Sequence, residues 1–288
     1  MLSPLPDMDP KLVDAPPAGD GWLHEIKYDG YRTQLIIDQT GVRAFTSGRH
    51  DWSDRYRPIV GAAAALTLPA IIDGEVSVQD ENGVTQFGEL RSAIFKAPHR
   101  LVFFAFDLLH LNGQDLRNWP LEDRRELLHG YVDGIEPAIA FSESFDGEGA
   151  DFFAWAEGRG LEGIVSKRKG SQYLRGETDL WQKTKCWAVD DFDVIGVKKG
   201  DDGLPYALFA QDGERMGAAI VSLKAKEREL FWRYVETAGR DQPTDRRWRE
   251  KNTTWLPPGT TATVRFLRGS DRLRHASIKE LRINSERL

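Results

Sequence analysis

The chain has 288 residues, enough for about two domains, and its 40% hydrophobic and 10% aromatic content can furnish real cores. A formal net charge of −6 argues at first against a polyanionic partner, and no run approaches the roughly 20 apolar residues of a membrane span. One cysteine, Cys186, excludes an internal disulfide and a cysteine-based zinc site, and a start rich in proline and acidic residues resembles neither a signal nor a transit peptide, so a cytoplasmic protein is expected.

In chain order, short apolar runs that read as buried strands occur at 22–26, 33–37, 42–46, 70–72 with Val76 and Val78, 101–106 and 163–166. Helical patterns lie between them at 52–66, 87–94, 120–128 and 149–158. This predicts an α+β domain with a largely antiparallel sheet over residues 1–187. After Cys186-Trp187 the composition shifts. Short strands at 192–198, 206–211, 216–223 and 261–267, with one helix at 225–238, suit a small β-barrel of the OB type over residues 188–288. Charge is unevenly shared: residues 188–288 carry 19 Lys+Arg against 16 Asp+Glu, net +3, which leaves −9 on the first 187 residues. From Arg240 onward 12 basic residues face 6 acidic ones, either a solvated face or an electrostatic contact with a phosphate backbone.

Five short stretches carry chemistry. The run Glu25-Ile26-Lys27-Tyr28-Asp29-Gly30-Tyr31-Arg32 sets one lysine at the end of an apolar stretch, before a tight acidic turn. A free lysine titrates near about 10.4 and is almost wholly protonated at neutral pH, so a nucleophilic one must be activated by its surroundings; the bland alternative is a solvated lysine before an Asp-Gly turn. Asp73-Gly74-Glu75 reads as a strand turn, either a plain hairpin or a carboxylate offered to a sugar hydroxyl. Phe106, in a hydrophobic strand interrupted by Asp107, is core or a platform for a purine, where stacking contributes about 1–3 kcal/mol. Glu162 opens a buried strand, where a carboxylate is costly unless paired with cations or metal. Trp181-Gln182-Lys183-Thr184-Lys185 alternates, so both lysines share a face and repel each other unless a polyanion lies between them and the rest of the pocket.

This ordered set resembles the covalent nucleotidyltransferase superfamily. Gly21-Trp22-Leu23-His24-Glu25-Ile26-Lys27-Tyr28-Asp29-Gly30-Tyr31-Arg32, His50-Asp51-Trp52 and Leu161-Glu162-Gly163-Ile164-Val165-Ser166-Lys167 are similar to the ATP-dependent DNA ligase domain of bacterial end-joining ligases, strongly over residues 20–187 and weakly beyond. The resemblance implies an adenylation domain followed by an OB domain, with Lys27 forming a phosphoramidate with AMP. It implies further that Glu25 reads the adenine edge, Glu75 binds the ribose, Phe106 stacks on adenine, Glu162 holds Mg2+ or Mn2+, Lys183 and Lys185 grip the α-phosphate, and Arg32 contacts the adenylate or the nick phosphate. The implied substrates are ATP and nicked double-stranded DNA, sealed by a monomer with an end-binding repair protein as partner and no membrane. An RNA ligase, a GTP-using capping enzyme and a non-catalytic nick- or end-binding repair module are the alternatives.

Two departures stand out. Ser47-Gly48-Arg49 replaces the family's Arg-Asn-Gly before His50-Asp51-Trp52, leaving Arg49 as the substitute DNA contact. Near the end, the stretch from Arg274 to Arg282 matches the last motif but runs into Ile283-Asn284-Ser285 instead of an acid and a lysine. Arg274, Lys279 and Arg282 then remain as the nearby cations.

Overall fold

The first unit of the computed structural model, Met1–Cys186, is built on two sheets. The structure describes the whole chain apart from Glu136, Thr244, residues 269–271, Asn284, Ser285 and Leu288, and the side chains of Arg246, Glu286 and Arg287. The altered C-terminal positions Asn284 and Ser285 therefore lie outside the described residues.

In chain order the unit contains β1 (Met8–Val13), β2 (Trp22–Ile26), β3 (Tyr31–Asp38), β4 (Gly41–Thr46), α1 (Arg57–Ala63), β5 (Ala70–Ser77), α2 (Phe87–Lys96) and β6 (Val102–Leu111). There follow β7 (Gln114–Asp115), α3 (Leu121–Val132), β8 (Ile139–Phe141), β9 (Ser144–Phe145), α4 (Gly149–Gly158), β10 (Gly163–Arg168) and β11 (Gly176–Lys185). One sheet has the order β1-β11-β10-β2-β9, the other β4-β3-β5-β6-β7 with β8 beside β6. Pairing is antiparallel except for β1 with β11 and β6 with β8.

Strand parity sorts the core into two layers. Leu35, Ile37, Ile72, Val76 and Phe103 face Ile59 and Ala63 of α1, Leu90 and Ile94 of α2 and Leu128 of α3. On the opposite face Ile36, Ile71 and Leu109 meet Met8, Tyr173 and Trp181, so the second layer joins the two sheets. Burying each large aliphatic side chain contributes about 1.5–3 kcal/mol.

Two local expectations are corrected. Asp73-Gly74-Glu75 is no turn: β5 runs unbroken through it, paired with β3 on one side and β6 on the other. The glycine serves close approach, since a Cβ there would lie 2.4 Å from the Phe103 ring and 2.6 Å from the Phe104 carbonyl oxygen. The helical pattern at 52–66 yields a helix only over Arg57–Ala63, because Pro58 lacks the N–H that a longer helix needs and so belongs in the first turn.

The second unit, Trp187–Leu288, has β12 (Trp187–Lys199), β13 (Pro205–Gln211), β14 (Glu214–Ile220), α5 (Ala225–Ala238), β15 (Thr253–Trp255), β16 (Thr260–Leu267), β17 (Ser277–Ile283) and β18 (Glu286–Arg287). Its strands form one antiparallel sheet in the order β14-β13-β12-β16-β17-β18, with β15 also on β12, around Phe192, Val194, Phe209, Phe231 and Val264. Among the described residues no ladder joins β14 to β17, so the expected closed barrel is not found. Instead Leu273 from the β16–β17 connection lies on β14: its N–H donates to the Met216 carbonyl at 2.8 Å, and its side chain sits over Gly217. No helix among the described residues is long and apolar enough to cross a membrane.

Candidate active site

Three neighbouring strands bring together motifs that are far apart in sequence. In register, Glu25 of β2 lies beside Val165 of β10, which lies beside Lys183 of β11; two residues further along β10, on the same face, Lys167 pairs with Trp181. All five line a cavity of about 170 Å³ closed by Pro10, Ile26, Tyr28, Arg32, Glu75 and Phe106. Apolar walls with a few convergent polar groups are the usual make-up of a small-molecule site. Trp181 enters because it shares the parity of Lys183 on β11, where the ladder with β10 is regular.

Lys27 follows the end of β2, and its N–H donates to the Gly163 carbonyl at 3.0 Å. The turn beyond is pinned by Thr85 Oγ1, which accepts from the Asp29 N–H at 3.1 Å, and by Ser77, whose hydroxyl donates to the Asp29 carbonyl at 2.7 Å. Gly30 is obligatory for space, as a Cβ there would lie 2.1 Å from the Val76 carbonyl oxygen. Gly163, at φ +152°, does the same for β11: its Cβ would strike the Thr184 carbonyl oxygen at 2.1 Å. These glycines let the lysine loop, β5, β10 and β11 converge.

At the cavity mouth Lys27 Nζ lies 2.6 Å from Glu162 Oε2, and Lys185 Nζ lies 3.9 Å from Oε1. Burial pushes the Glu162 carboxyl up, while the Lys27 charge opposes the shift. Burial likewise pushes Glu75 up, to about 8, against the pull of Lys27 and Arg32. Two carboxylates with reluctant charges thus face a cluster of amines, an arrangement that accommodates a phosphate on the amines and a cation on the carboxylates.

Among the described residues no group of three or more His, Cys, Asp or Glu could cage a metal. A single buried carboxylate, Glu162, nevertheless fits a hard divalent cation of the magnesium type, which is commonly held by one or two carboxylates together with substrate phosphates and water.

The remaining expected residues have definite surroundings. Glu25 is buried: Oε1 accepts from Arg125 at 2.8 Å and pairs with Lys167 Nζ at 2.6 Å, and Oε2 accepts from the Ser142 hydroxyl at 2.8 Å. Arg32 donates to both Asp73 oxygens at 3.2 and 2.7 Å, to the Met8 carbonyl at 2.7 Å and to the Tyr173 hydroxyl at 3.1 Å. Burial disfavours its charge, but the Asp73 carboxylate outweighs that and holds the guanidinium ionised. Phe106 meets Trp181 edge-on with ring centres 6.0 Å apart. Arg49 is exposed in a left-handed turn at φ +59° and does not line the cavity. Arg274 and Arg282 belong to the second unit, where Arg282 is held by Asp191 at 3.3 Å, Glu280 at 2.9 Å and Thr263 at 2.8 Å.

Sequence reasoning did not single out Lys167, Trp181, Arg125 or Ser142. Trp181 could have been found, since the alternation that joins Lys183 to Lys185 extends to it, and Lys167 has the same parity as Val165 on β10. Arg125 and Ser142 reach Glu25 through tertiary packing, which leaves no local signal.

Comparison with known proteins gives the same direction. The sequence matches the family described as "ATP dependent DNA ligase domain" over residues 13–185. It is 33% identical over 231 residues to the multifunctional non-homologous end joining protein LigD of Pseudomonas aeruginosa, covering 79% of this chain and 26% of that protein. It is 29% identical over 278 residues to the corresponding LigD of Mycobacterium tuberculosis, covering 91% and 36%. The chain thus spans about a quarter to a third of these relatives. Among solved structures, a mycobacterial DNA ligase D complexed with ATP and MES superposes with TM-score 0.62 at 26% identity over 98% of this chain and 96% of that one. The ligase domain of M. tuberculosis LigD gives TM-score 0.60 at 26% identity over 96% and 95%.

Proposed function

The chain belongs to the family of ATP-dependent DNA ligase domains, and from that membership we propose that it seals nicks in double-stranded DNA through a lysyl-AMP intermediate. The observation that carries this reading is Lys27 at the mouth of a purine-sized cavity, 2.6 Å from Glu162, with Lys183 on the wall.

Lys27 Nζ, on losing its proton, attacks the α-phosphorus of ATP; the N–P bond forms as the P–O bond to pyrophosphate breaks. Lys183 and Lys185 neutralise the α-phosphate during this displacement, so catalysis rests on positioning and charge. Phe106 supports the adenine face, Glu25 accepts from its amine, Glu75 binds the ribose, and Arg32 contacts the adenylate or the nick phosphate. Glu162 would hold a magnesium or manganese ion, which supplies Lewis-acid stabilisation of phosphate charge. AMP then passes from Lys27 to the 5′-phosphate at a nick, and the 3′-hydroxyl attacks that phosphorus and expels AMP, joining the strand.

We read residues 1–187 as the adenylation domain and 188–288 as an OB-type domain, supported by β12 carrying both the β13–β14 and β16–β17 hairpins. Arg49, Arg274 and Arg282 are the DNA contacts on this reading. The chain works as a monomer, and the end-joining names of its relatives favour an end-binding repair protein as partner.

Intact mass after incubation with ATP and magnesium tests the reading. A gain of one AMP is expected, lost in Lys27→Ala and in Lys27→Arg, whose guanidinium stays protonated. Retained labelling in either variant would refute the assignment. A nicked duplex with DNA or RNA on either side, supplied with ATP or GTP, separates a DNA ligase from an RNA ligase or a capping enzyme.

A further inference from the structure

Phe95 on α2 is 68% exposed, the most exposed large hydrophobic side chain among the described residues after Met1. Helix periodicity explains its position: Leu90, Ala93 and Ile94 form the buried stripe of α2, and Phe95 shares the exposed side with Arg91, one turn before it. A single exposed apolar residue needs no explanation, but this one has company. The Arg55 guanidinium lies 5.9 Å from the centre of the Phe95 ring and 4.4 Å from that of Trp52. Trp52 in turn packs edge-on against Tyr31 and Tyr56, with ring centres 5.3 and 5.7 Å away. The segment before α1 and the exposed side of α2 thus meet at an arginine shared by two aromatic rings.

Charge sets this surface apart from the rest of its unit. Residues 49–57 and 87–100 carry six Lys and Arg against three Asp and Glu, whereas residues 1–187 as a whole have a net charge of −9. Two of those three carboxylates are already engaged, Glu89 with Arg100 at 2.6 Å and Asp54 with Arg57 at 3.8 Å. Among the described residues no carboxylate lies within ion-pair distance of Arg49, Arg55, Arg91 or Lys96. Cations left without counter-charges on an otherwise acidic unit are the electrostatic footprint of a polyanion.

The ring decides which polyanion. Phosphates need only the cations, whereas an aromatic face adds about 1–3 kcal/mol where a base is free to lie on it. Within a duplex each base is covered by its neighbours in the stack, so a paired strand makes no use of Phe95. An acidic peptide would use the cations and gain nothing systematic from the ring.

Resting on the ligase reading of this chain, we propose that Trp52, Arg55, Arg91, Phe95 and Lys96 form a binding site for unpaired nucleotides of a DNA strand. One base stacks on Phe95 while the flanking phosphates lie on Arg55, Arg91 and Lys96. The site adjoins Arg49, three residues before Trp52, and so holds an unpaired stretch beside the duplex that is to be sealed. It is indifferent to sequence, because every base has a π-face.

The test is fluorescence anisotropy of the full chain with two labelled single strands of about eight nucleotides, within the span of a single-strand site. One is an oligothymidylate and the other an abasic strand with the same number of phosphates. The wild type should bind the oligothymidylate about 5- to 100-fold more tightly, the range for one stacked base. Phe95→Ala should bind both strands equally, at the wild-type affinity for the abasic one, and Phe95→Trp should keep the preference. Arg91→Ala combined with Lys96→Ala should weaken both strands alike and lower the salt slope of binding by about 1.4, or about 0.7 per lost phosphate contact. A wild type that does not distinguish the two strands, or a Phe95→Ala variant that keeps the full preference, would overturn the proposal. So would an oligoglutamate of equal charge that competes as well as the oligothymidylate, since the surface would then serve an acidic peptide. Thermal melts show whether each variant is folded, and Phe95→Trp keeps the question answerable if the alanine variant is not. AMP labelling of the wild type addresses the ligase reading separately. A chain that takes AMP but ignores the bases loses only this site, and one that takes no AMP loses the ligase reading whatever its strand preference.

Discussion

Asp107→Asn probes the ion pair next to Phe106, which lines the cavity. Asp107 and Arg124 are both fully buried and joined by two hydrogen bonds of 2.8 Å. Arg124 also donates to the carbonyls of Trp119 at 2.6 Å and Ser171 at 2.9 Å, so its guanidinium cannot swing out to water without breaking the loops it ties together. The asparagine keeps the shape but removes the counter-charge. Breaking a buried pair from one side costs about 3–5 kcal/mol, a large share of the roughly 5–15 kcal/mol that holds a typical domain folded. At a urea dependence of about 3 kcal/mol per molar, the midpoint for the first unit should fall by about 1–2 M. Urea titration followed by tryptophan fluorescence measures this, with Glu229→Gln as control: the Glu229–Arg233 pair is 72% and 66% exposed, and its loss should scarcely matter. Because Asp107 adjoins Phe106, the KM for ATP should rise in parallel. A midpoint shift for Asp107→Asn no larger than that of the control would refute the reasoning.

Gly30→Ala should cost about 1–3 kcal/mol and abolish self-adenylation, because the new methyl would meet the Val76 carbonyl 2.1 Å away on a strand paired on both sides; circular dichroism melts and AMP labelling check both parts. Glu162→Ala should lose metal-dependent adenylation with the fold intact, and full activity at low magnesium would make Glu162 structural instead. The Glu75 carboxyl, raised mainly by burial from an unfolded value of 4.5 to about 8, keeps a proton in the folded chain that the unfolded chain has lost. Its contribution to stability is therefore complete below about pH 4.5 and is lost as pH rises through about 8. Urea midpoints of the ligand-free chain should fall across that window and flatten in Glu75→Gln; parallel profiles for the two proteins would count against the assignment.

Much of the first unit was legible because its strands are apolar runs with clear ends. Trp22–Ile26 stops at Lys27 and an Asp-Gly turn, and the alternation through Lys183 and Lys185 fixes which face meets the cavity. β1 was not legible. Its sequence Met-Asp-Pro-Lys-Leu-Val carries a proline and two charges, tolerable only on an edge strand, and what holds it is distant: the Tyr173 hydroxyl on the Met8 N–H and Arg32 on the Met8 carbonyl. Gly74 misled for a related reason, since a glycine that admits a neighbouring ring looks in sequence like one that makes a turn. Asp107 stood out in sequence only as an interruption of an apolar strand, and nothing local named its partner Arg124. The Glu25 cluster was half visible: the carboxylate was expected to face a base, whereas Lys167, Arg125 and Ser142 converge on it only through the fold.

The pairing of β1 with β11 also sets a timetable for synthesis. Met8 and the tyrosine that receives its N–H are 165 residues apart, so the first strand leaves the ribosome long before its partner exists. At roughly 5–20 residues per second that wait is about 8–33 s. During it Met8 and Pro10 have no β11 to join; Glu162 and Lys167 are made only near its end, and Lys183 after it. The nascent chain can assemble β3, β4, β5 and β6 with α1 and α2 early, because those partners are close in sequence. The cavity that depends on β10 and β11 is finished last in this unit, so a chain stalled before residue 162 has β3 to β6 with their helices but lacks Glu162, Lys167 and Lys183.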